Sequence, residues 1–221
     1  MMDFPTFLEQ LWIARFVILN GLGVTVSISL LAIIFCSVAG VFVGLALTYG
    51  SRPLRLVVRG YTDIVRGTPV LVLVLASYYV SSAVGFDLGP FSAGVLALAI
   101  FCSSHVGEIV RGGLQAIPIG QTEAAKAIGL TFSQTFTNVL WPQALRQFLP
   151  TWVNTAAEMV KASTLLSVIG VAELLLRTQE IISRNFMSLQ FYFFAGLLYF
   201  VVNFAIERFG KYVERKTAVP T

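Results

Sequence analysis

The sequence predicts an all-α membrane protein with five transmembrane helices, and three observations support that fold class. Hydrophobic residues make up 57% of the 221 residues. Charged residues make up only 12%, whereas a soluble domain usually carries about 25%. The hydrophobic residues also gather into runs of the length that crosses a bilayer, about 20 residues of helix. These runs leave little chain for a soluble domain, so we expect one membrane domain over residues 1–221, with its core at about 16–210.

Five apolar runs are the predicted spans. In chain order they cover residues 20–49, 69–86, 91–111, 148–172 and 188–207. The first run is too long, and has too few basic residues before it, to be a signal peptide. Within it, Gly40 and Gly44 have the spacing that permits close helix packing, either inside the chain or at a subunit interface. We expect Cys36 and Cys102 to be small buried hydrophobic residues.

The distribution of lysine and arginine predicts the orientation of the chain. Most of these residues fall in connections on the same side as the first connection, which is rich in arginine over residues 52–66. Arg15, Arg177 and Arg184 are the ones assigned to the opposite side. Positive charge collects in cytoplasmic connections. We therefore expect the N-terminus outside, the C-terminus in the cytoplasm, and a long cytoplasmic loop at about 112–147.

The loop at about 112–147 contains two predicted short helices, of which the first is rich in alanine. Residues 117–120 (Ile-Pro-Ile-Gly) should end the preceding helical segment, because proline and glycine interrupt helices. A helix is then predicted over residues 121–128, with Glu123 in its first turn, where free backbone N–H groups favour a carboxylate. Gly129 suits a left-handed cap at the end of this helix.

The second predicted helix of the loop should begin at Thr131, because Thr131 and Gln134 have the spacing of a capping box. It should end towards Pro142. Its apolar side would carry Phe132, Phe136, Val139 and Leu140. Physical properties alone leave two interpretations of the loop. Its helices could lie on the membrane or on their own chain, or the alanine-rich helix could dock against another protein.

The loop contains Glu123-Ala124-Ala125, then Gly129, then Leu140-Trp141-Pro142, between two predicted spans. In composition and spacing it resembles the EAA loop of the permeases of ATP-binding-cassette (ABC) importers. Two further segments are similar to the polar amino acid branch of that family. They are Arg66-Gly67-Thr68-Pro69 and Pro142-Gln143-Ala144-Leu145-Arg146.

The resemblance implies the fold of a type I ABC importer permease, with a cytoplasmic EAA coupling helix between the third and fourth spans. The residues it assigns to coupling with an ATPase are Gly120, Gln121, Glu123, Ala124, Ala125, Lys126 and Gly129. Two departures from the branch, at His105 and in residues 161–165, bear on the solute rather than on the fold.

The resemblance also implies the partners and the location of the chain. The partners would be two cytoplasmic ABC ATPase subunits, a second permease chain, identical or homologous, and an extracytoplasmic solute-binding protein. ATP and Mg would be bound by the ATPase, with no cofactor in this chain and no nucleic acid partner. The expected location is the bacterial cytoplasmic (inner) membrane.

Polar residues inside the predicted spans are candidates for the solute pathway. A charge at the centre of a bilayer costs about 2.5–3.5 kcal/mol on insertion scales, so it normally faces a cavity or a partner. Glu158 and Lys161 lie three residues apart, which allows either an ion pair or a transient site for a zwitterion. The pathway candidates are His105, Glu108, Asn154, Glu158, Lys161 and Ser163. For His105 a packing role stays open, and a single histidine predicts no metal site.

Catalytic motifs are missing from the sequence. It has no Gly-x-x-x-x-Gly-Lys-Ser/Thr phosphate loop and no Ser-His-Asp spacing, so we expect neither an enzyme nor catalytic residues. The expected function is that of a permease subunit of an ABC importer for polar amino acids or related zwitterions. It would move solute by alternating access, driven by the partner ATPase. The alternatives are a permease for methionine, an opine or an osmolyte, a secondary transporter, or an intramembrane enzyme.

Overall fold

The computed structural model describes residues 4–217, and this part of the chain forms helices and connections without a β-strand. The α-helices are α1 (Phe4–Tyr49), α2 (Arg52–Gly67), α3 (Val70–Ala83), α4 (Pro90–Gln115), α5 (Ile119–Ala127), α6 (Phe132–Thr135), α7 (Trp141–Ala162), α8 (Leu174–Asn185) and α9 (Ser188–Thr217). A π-helical segment, Phe136–Leu140, joins α6 to α7, and a 3-10 helix, Ser163–Ile169, follows α7. The predicted all-α class is confirmed.

Three helical stretches are long and apolar enough to cross a membrane on their own. They are Thr6–Tyr49, Pro90–Gln115 and Ser188–Val213, and they contain the first, third and fifth predicted spans. Two bent helix pairs could each supply one further crossing. The described residues therefore offer three to five crossings by length and composition, and the count of five stays a prediction.

The second predicted span, residues 69–86, is the shorter part of one bent pair. The sequence predicted only a connection where α2 lies, and α2 and α3 meet at an angle of 108°. Thr68 between them is extended, with φ −98° and ψ 131°, because a residue before proline is disfavoured in the α region. α3 has 14 residues, a length of about 21 Å, which is shorter than the hydrocarbon core of about 30 Å.

The predicted helix end at Pro142 is wrong. Helical structure continues without a break from Phe132 to Ile169. The π-helical segment lies immediately before Trp141 and Pro142. Its wider winding accommodates a proline ring, which in a regular α-helix would clash with the carbonyl four residues earlier. As a result, α7 carries the loop directly into the fourth predicted span.

The fourth predicted span, residues 148–172, ends at a left-handed glycine. Gly170 has φ 83°, a conformation that a residue without Cβ adopts readily. The sequence predicted a connection after it, but α8 follows at a bend of 52°. Glu173 caps α8, since its carboxylate accepts the Leu176 N–H at 2.9 Å.

The chain packs as two compact units. Among the described residues, the first comprises 4–33, Pro69–Ala99 and Ala157–Ala205, and the second comprises Ile34–Thr68, Ile100–Ala156 and 206–217. A single domain over residues 1–221 therefore stays a prediction, and residues 1–3 and 218–221 lie outside the described part of the chain.

The first unit has an apolar core built from α1, α8 and α9. Its buried members are Ala14, Ile18, Leu174, Ile181 and Phe191. Phe7 packs against this core with its ring edge-on to Phe191, at a centroid distance of 5.4 Å. Such aromatic pairs stabilise a core beyond the area that they bury.

The second unit brings α1 and α4 into backbone contact at two glycines. A Cβ on Gly40 would lie 2.5 Å from the Val106 Cβ, and one on Gly44 would lie 2.7 Å from the Val110 Cβ. Both distances are shorter than any ordinary contact between carbon atoms. The predicted close packing at these glycines therefore occurs within the chain.

The two cysteines differ from the prediction in one respect. Cys36 and Cys102 are buried, as expected, but they are joined in a disulfide that links α1 to α4. The two positions are 66 residues apart in the sequence. Their spacing alone carried no sign of the pairing, because it arises from the packing of the two helices.

Candidate functional site

The alanine-rich helix of the loop is α5, and it starts earlier than predicted. Pro118 is extended, and the helix begins directly after it at Ile119. Glu123 consequently lies in the second turn, so its predicted stabilisation by free N–H groups of the first turn is wrong. The left-handed cap is confirmed, since Gly129 has φ 83° and its N–H donates to the Lys126 carbonyl at 2.9 Å.

Most of the surface of α5 is exposed. Ala125 is buried, with 3% of its surface exposed. The other residues that the resemblance assigns to coupling are exposed, namely Gly120, Gln121, Glu123, Ala124, Lys126 and Gly129. Ile119 and Ile128, at the two ends of the helix, are each 77% exposed. Two large apolar side chains around a carboxylate and an ammonium group form a surface suited to contact with another protein.

The segment after α5 begins with a capping box, and α5 itself is joined to α7 by a side-chain hydrogen bond. The capping box at the start of α6 is confirmed, because the Thr131 hydroxyl accepts the Gln134 N–H and the Gln134 side chain accepts the Thr131 N–H. Gln143 on α7 donates its Nε2 to the Gln121 Oε1 at 3.2 Å. This last bond joins α5 itself to the beginning of α7.

A row of aromatic rings extends from the same segment to α1 and α7. Tyr49, the last residue of α1, lies edge-on to Phe132 and Phe136 at centroid distances of 5.3 and 6.0 Å. Trp141 continues the row to Phe136 at 5.8 Å and to Phe148 at 5.9 Å. The row therefore joins the segment after α5 to both of these helices within the second unit.

The two pathway candidates on α4 have local partners. The His105 ring packs on the Phe101 ring at a centroid distance of 4.5 Å, and its Nδ1 lies 3.1 Å from the Phe101 carbonyl oxygen. Glu108 forms an ion pair of 2.6 Å with Arg111 and a longer one of 3.9 Å with Arg59. The described residues contain no group of three or more ligating side chains that could hold a metal ion.

The pathway candidates on α7 lie mostly on its exposed face. Asn154, Glu158 and Lys161 are exposed. Neither Glu158 nor Lys161 takes part in the ion pairs Arg59–Glu108, Arg111–Glu108 and Arg177–Glu180 of the described residues. Glu158 and Lys161 therefore do not neutralise each other, because an exposed pair gains about 1 kcal/mol at most and must restrict two long side chains. Ser163 lies elsewhere: it is buried, and its hydroxyl donates to the Val160 carbonyl at 2.8 Å.

The first unit contains a buried acid that the sequence analysis did not select. Glu173 is fully buried. The hydroxyl groups of Thr25, at 3.4 Å, and of Tyr199 donate to its Oε2, and the Leu176 N–H donates to its Oε1. The Thr25 oxygen in turn accepts the Leu174 N–H at 3.1 Å. These bonds join α1, α8 and α9 around one carboxylate.

One signal in the sequence could have identified Glu173. It is flanked on both sides by apolar residues, yet it directly follows the fourth predicted span, residues 148–172, and was therefore assigned to a connection. A carboxylate within an apolar run needs hydrogen-bonding or charged partners. This holds whether the residue lies inside a predicted span or just after its end, as Glu173 does.

Comparison with known proteins identifies a family and several similar transport proteins. Residues 36–219 match the family described as "Binding-protein-dependent transport system inner membrane component". The arginine transport system permease protein of Bacillus subtilis is 32% identical over 200 residues, which are 90% of this chain and 91% of that protein. The L-cystine transport system permease protein of the same organism is 33% identical over 198 residues, 89% and 85% of the two chains. The glutamine transport system permease protein of Escherichia coli is 32% identical over 213 residues, 96% and 97% of the two chains.

Solved structures with a similar fold include two transporters. The crystal structure of an amino acid ABC transporter with histidines contains a chain with a TM-score of 0.88 and 32% identity, which covers 98% of this chain and 99% of that one. The inward-facing methionine ABC transporter contains a chain with a TM-score of 0.79 and 22% identity, covering 93% and 98%. The second likeness shows the fold alone.

Proposed function

Because this chain belongs to the family of binding-protein-dependent transport system inner membrane components, we propose that it moves polar amino acids or related zwitterions by alternating access. It is a membrane-spanning permease subunit of an ABC importer. The solutes named for its relatives, arginine, cystine and glutamine, support polar amino acids as the solute class. A methionine, opine or osmolyte permease is not favoured, and neither is a secondary transporter.

The proposed assembly supplies what this chain lacks. Two ABC ATPase subunits would bind ATP and Mg on the cytoplasmic face, since the sequence contains no phosphate loop. A second permease chain would complete the pathway, and an extracytoplasmic binding protein would deliver the solute. The proposed orientation has the N-terminus outside and the C-terminus in the cytoplasm, as the arginine-rich first connection favours.

The exposure of α5, combined with its attachment to α7, is the observation that carries the coupling proposal. A helix that offers Ile119, Glu123 and Ile128 to the outside is suited to docking in a groove of the ATPase. The Gln121–Gln143 hydrogen bond and the adjoining aromatic row link it to α7 and α1. Closure of the ATPase on ATP would therefore displace these helices as well, and hydrolysis would reset them.

The uncoupling test replaces one charge and one cap in the coupling region. In Glu123→Ala with Gly129→Ala, the docking surface loses its carboxylate, and the left-handed turn is strained by a Cβ. We expect solute uptake by the reconstituted importer to fall at least tenfold, while ATP hydrolysis becomes independent of the binding protein. Uptake and ATPase activity in proteoliposomes measure both effects.

The matched control for this test is Glu9→Ala with Gly196→Ala. It removes an exposed carboxylate and a glycine whose added Cβ would meet nothing within 4 Å. Uptake should be unchanged in this control. Normal coupled uptake in the Glu123 and Gly129 variant would refute the coupling proposal.

A further inference from the structure

A small cavity that is open to the surface lies between α7 and the C-terminal part of α9 in the second unit, and the polar residues that line it are exposed. Its volume is about 290 Å³, which is just below the range for ligand pockets, about 300–1,000 Å³. Its lining consists of Pro150, Val153, Asn154, Glu207, Gly210 and Lys211. A cavity of this size suits a small solute rather than a chain segment.

One wall of the cavity depends on a close approach of the two helices. Gly210 is buried, and a Cβ added to it would lie 2.2 Å from the Val153 Cγ1. A side chain at this point would require either the Val153 side chain or the two helices to shift. The shape of the cavity therefore depends on a glycine at position 210.

The other walls carry two opposite charges and an amide. Glu207 and Lys211 are one turn apart on α9, a spacing at which a carboxylate and an ammonium group commonly pair. Neither residue takes part in the ion pairs found in the described part of the chain. Asn154 reaches the same cavity from α7 and offers both a hydrogen-bond donor and an acceptor.

We propose that this cavity is a holding site for a free amino acid in its zwitterionic form. The Glu207 carboxylate would bind the α-ammonium group, the Lys211 ammonium group would bind the α-carboxylate, and the Asn154 amide would add a hydrogen bond. Val153 and Pro150 supply an apolar surface for the side chain of the solute. This inference rests on the proposed function, because it takes the transported amino acid as the ligand. It adds a site whose residues are distinct from Glu158 and Lys161.

Binding can be measured on the permease–ATPase complex in nanodiscs, without the binding protein. The probes are L-arginine, L-glutamine and L-cystine, each as a radiolabelled solute. We expect Glu207→Gln and Lys211→Gln each to weaken binding at this site by about tenfold or more, since each removes one charged partner. Arg215→Gln, an exposed cation one turn further along α9 and outside the cavity, should leave binding unchanged.

Thiol labelling localises the bound solute to the cavity. A maleimide should modify Pro150→Cys more slowly when one of the three amino acids is present, because Pro150 lines the cavity and supplies none of its charged partners. The labelling of Arg215→Cys should be unaffected. A change of shape gives a second test. Gly210→Ala should abolish this protection, and Val153→Ala in the same chain should restore it, because it removes the two methyl groups that lie nearest to the new Cβ.

Two results would overturn the proposal. The first is that amino acid binding and thiol labelling are the same in the cavity variants as in the unaltered protein. The second is retention of phosphatidylethanolamine through Glu207 and Lys211 without binding of any amino acid, which would make this a lipid headgroup site. Uptake by the complete wild-type importer is measured in parallel. Absence of uptake would contradict the proposed function, whereas normal uptake with unresponsive cavity variants would contradict the holding site alone.

Discussion

Two acidic residues of the first unit, Glu173 and Glu158, have opposite surroundings. Glu173 is fully buried and accepts hydrogen bonds from two hydroxyl groups and a backbone N–H. Glu158 is exposed on α7 and has no ion pair within the described residues. A carboxylate whose acceptor sites are already occupied has little capacity to bind a solute. A carboxylate whose acceptor sites are free retains that capacity. An acid in an apolar sequence is therefore a pathway candidate only if its partners leave it free.

Removal of the Glu173 carboxylate should have the largest effect on stability. Glu173→Ala leaves the hydroxyl groups of Thr25 and Tyr199 without their acceptor, and a buried unsatisfied group costs about 1–3 kcal/mol. We expect a loss of about 3 kcal/mol or more, which is a fall in Tm of roughly 6–12 °C for a chain of this size. Thermal unfolding of the purified permease in detergent measures it. If Glu173→Ala lowered Tm no more than Glu158→Ala does, the contrast between the buried and the exposed acid would be wrong.

Tyr199→Phe should have an intermediate effect. The variant keeps the ring and removes one donor, while Glu173 still accepts hydrogen bonds from Thr25 and from the Leu176 N–H. We expect a loss of about 1 kcal/mol, or roughly 2–4 °C in Tm, in the same unfolding experiment. If this variant lost as much stability as Glu173→Ala, the phenol rather than the carboxylate would be the centre of the network.

Glu158→Gln should have the smallest effect on stability and a distinct effect on activity. Because the side chain is exposed, we expect Tm to change by no more than about 2 °C. If Glu158 lines the proposed solute pathway, solute-dependent stimulation of ATP hydrolysis by the assembled importer should change more than the basal rate. Equal falls in both rates would assign Glu158 a structural role and remove it from the pathway.

Features set by neighbouring residues could be predicted from the sequence. The three long apolar helices, the left-handed turn at Gly129 and the capping box at Thr131 each depend on residues within one or two turns. The close contact at Gly40 and Gly44 also followed from their spacing, because four residues return to the same face of a helix.

Features that join distant segments could not be predicted in this way. The disulfide joins residues 66 apart, the Gln121–Gln143 bond spans 22 residues, and the Thr25–Glu173 bond spans 148. None of these pairs has a local pattern, since the tertiary packing alone brings them together. The early start of α5 is different in kind. Pro118 follows the end of one helix and also directly precedes the next, so a proline here marks a helix start as well as a helix end.

Cross-linking from α5 tests the central claim most directly. Ala124 is exposed in the middle of α5, and Cys36 and Cys102 are buried in a disulfide, so Ala124→Cys provides a single accessible thiol among the described residues. In inverted membrane vesicles that contain the whole importer, we expect this thiol to cross-link to the ATPase subunit, with a yield that changes when ATP is added. Labelling of the same thiol by a membrane-impermeant reagent from the outer face, with no cross-link to the ATPase, would contradict the account.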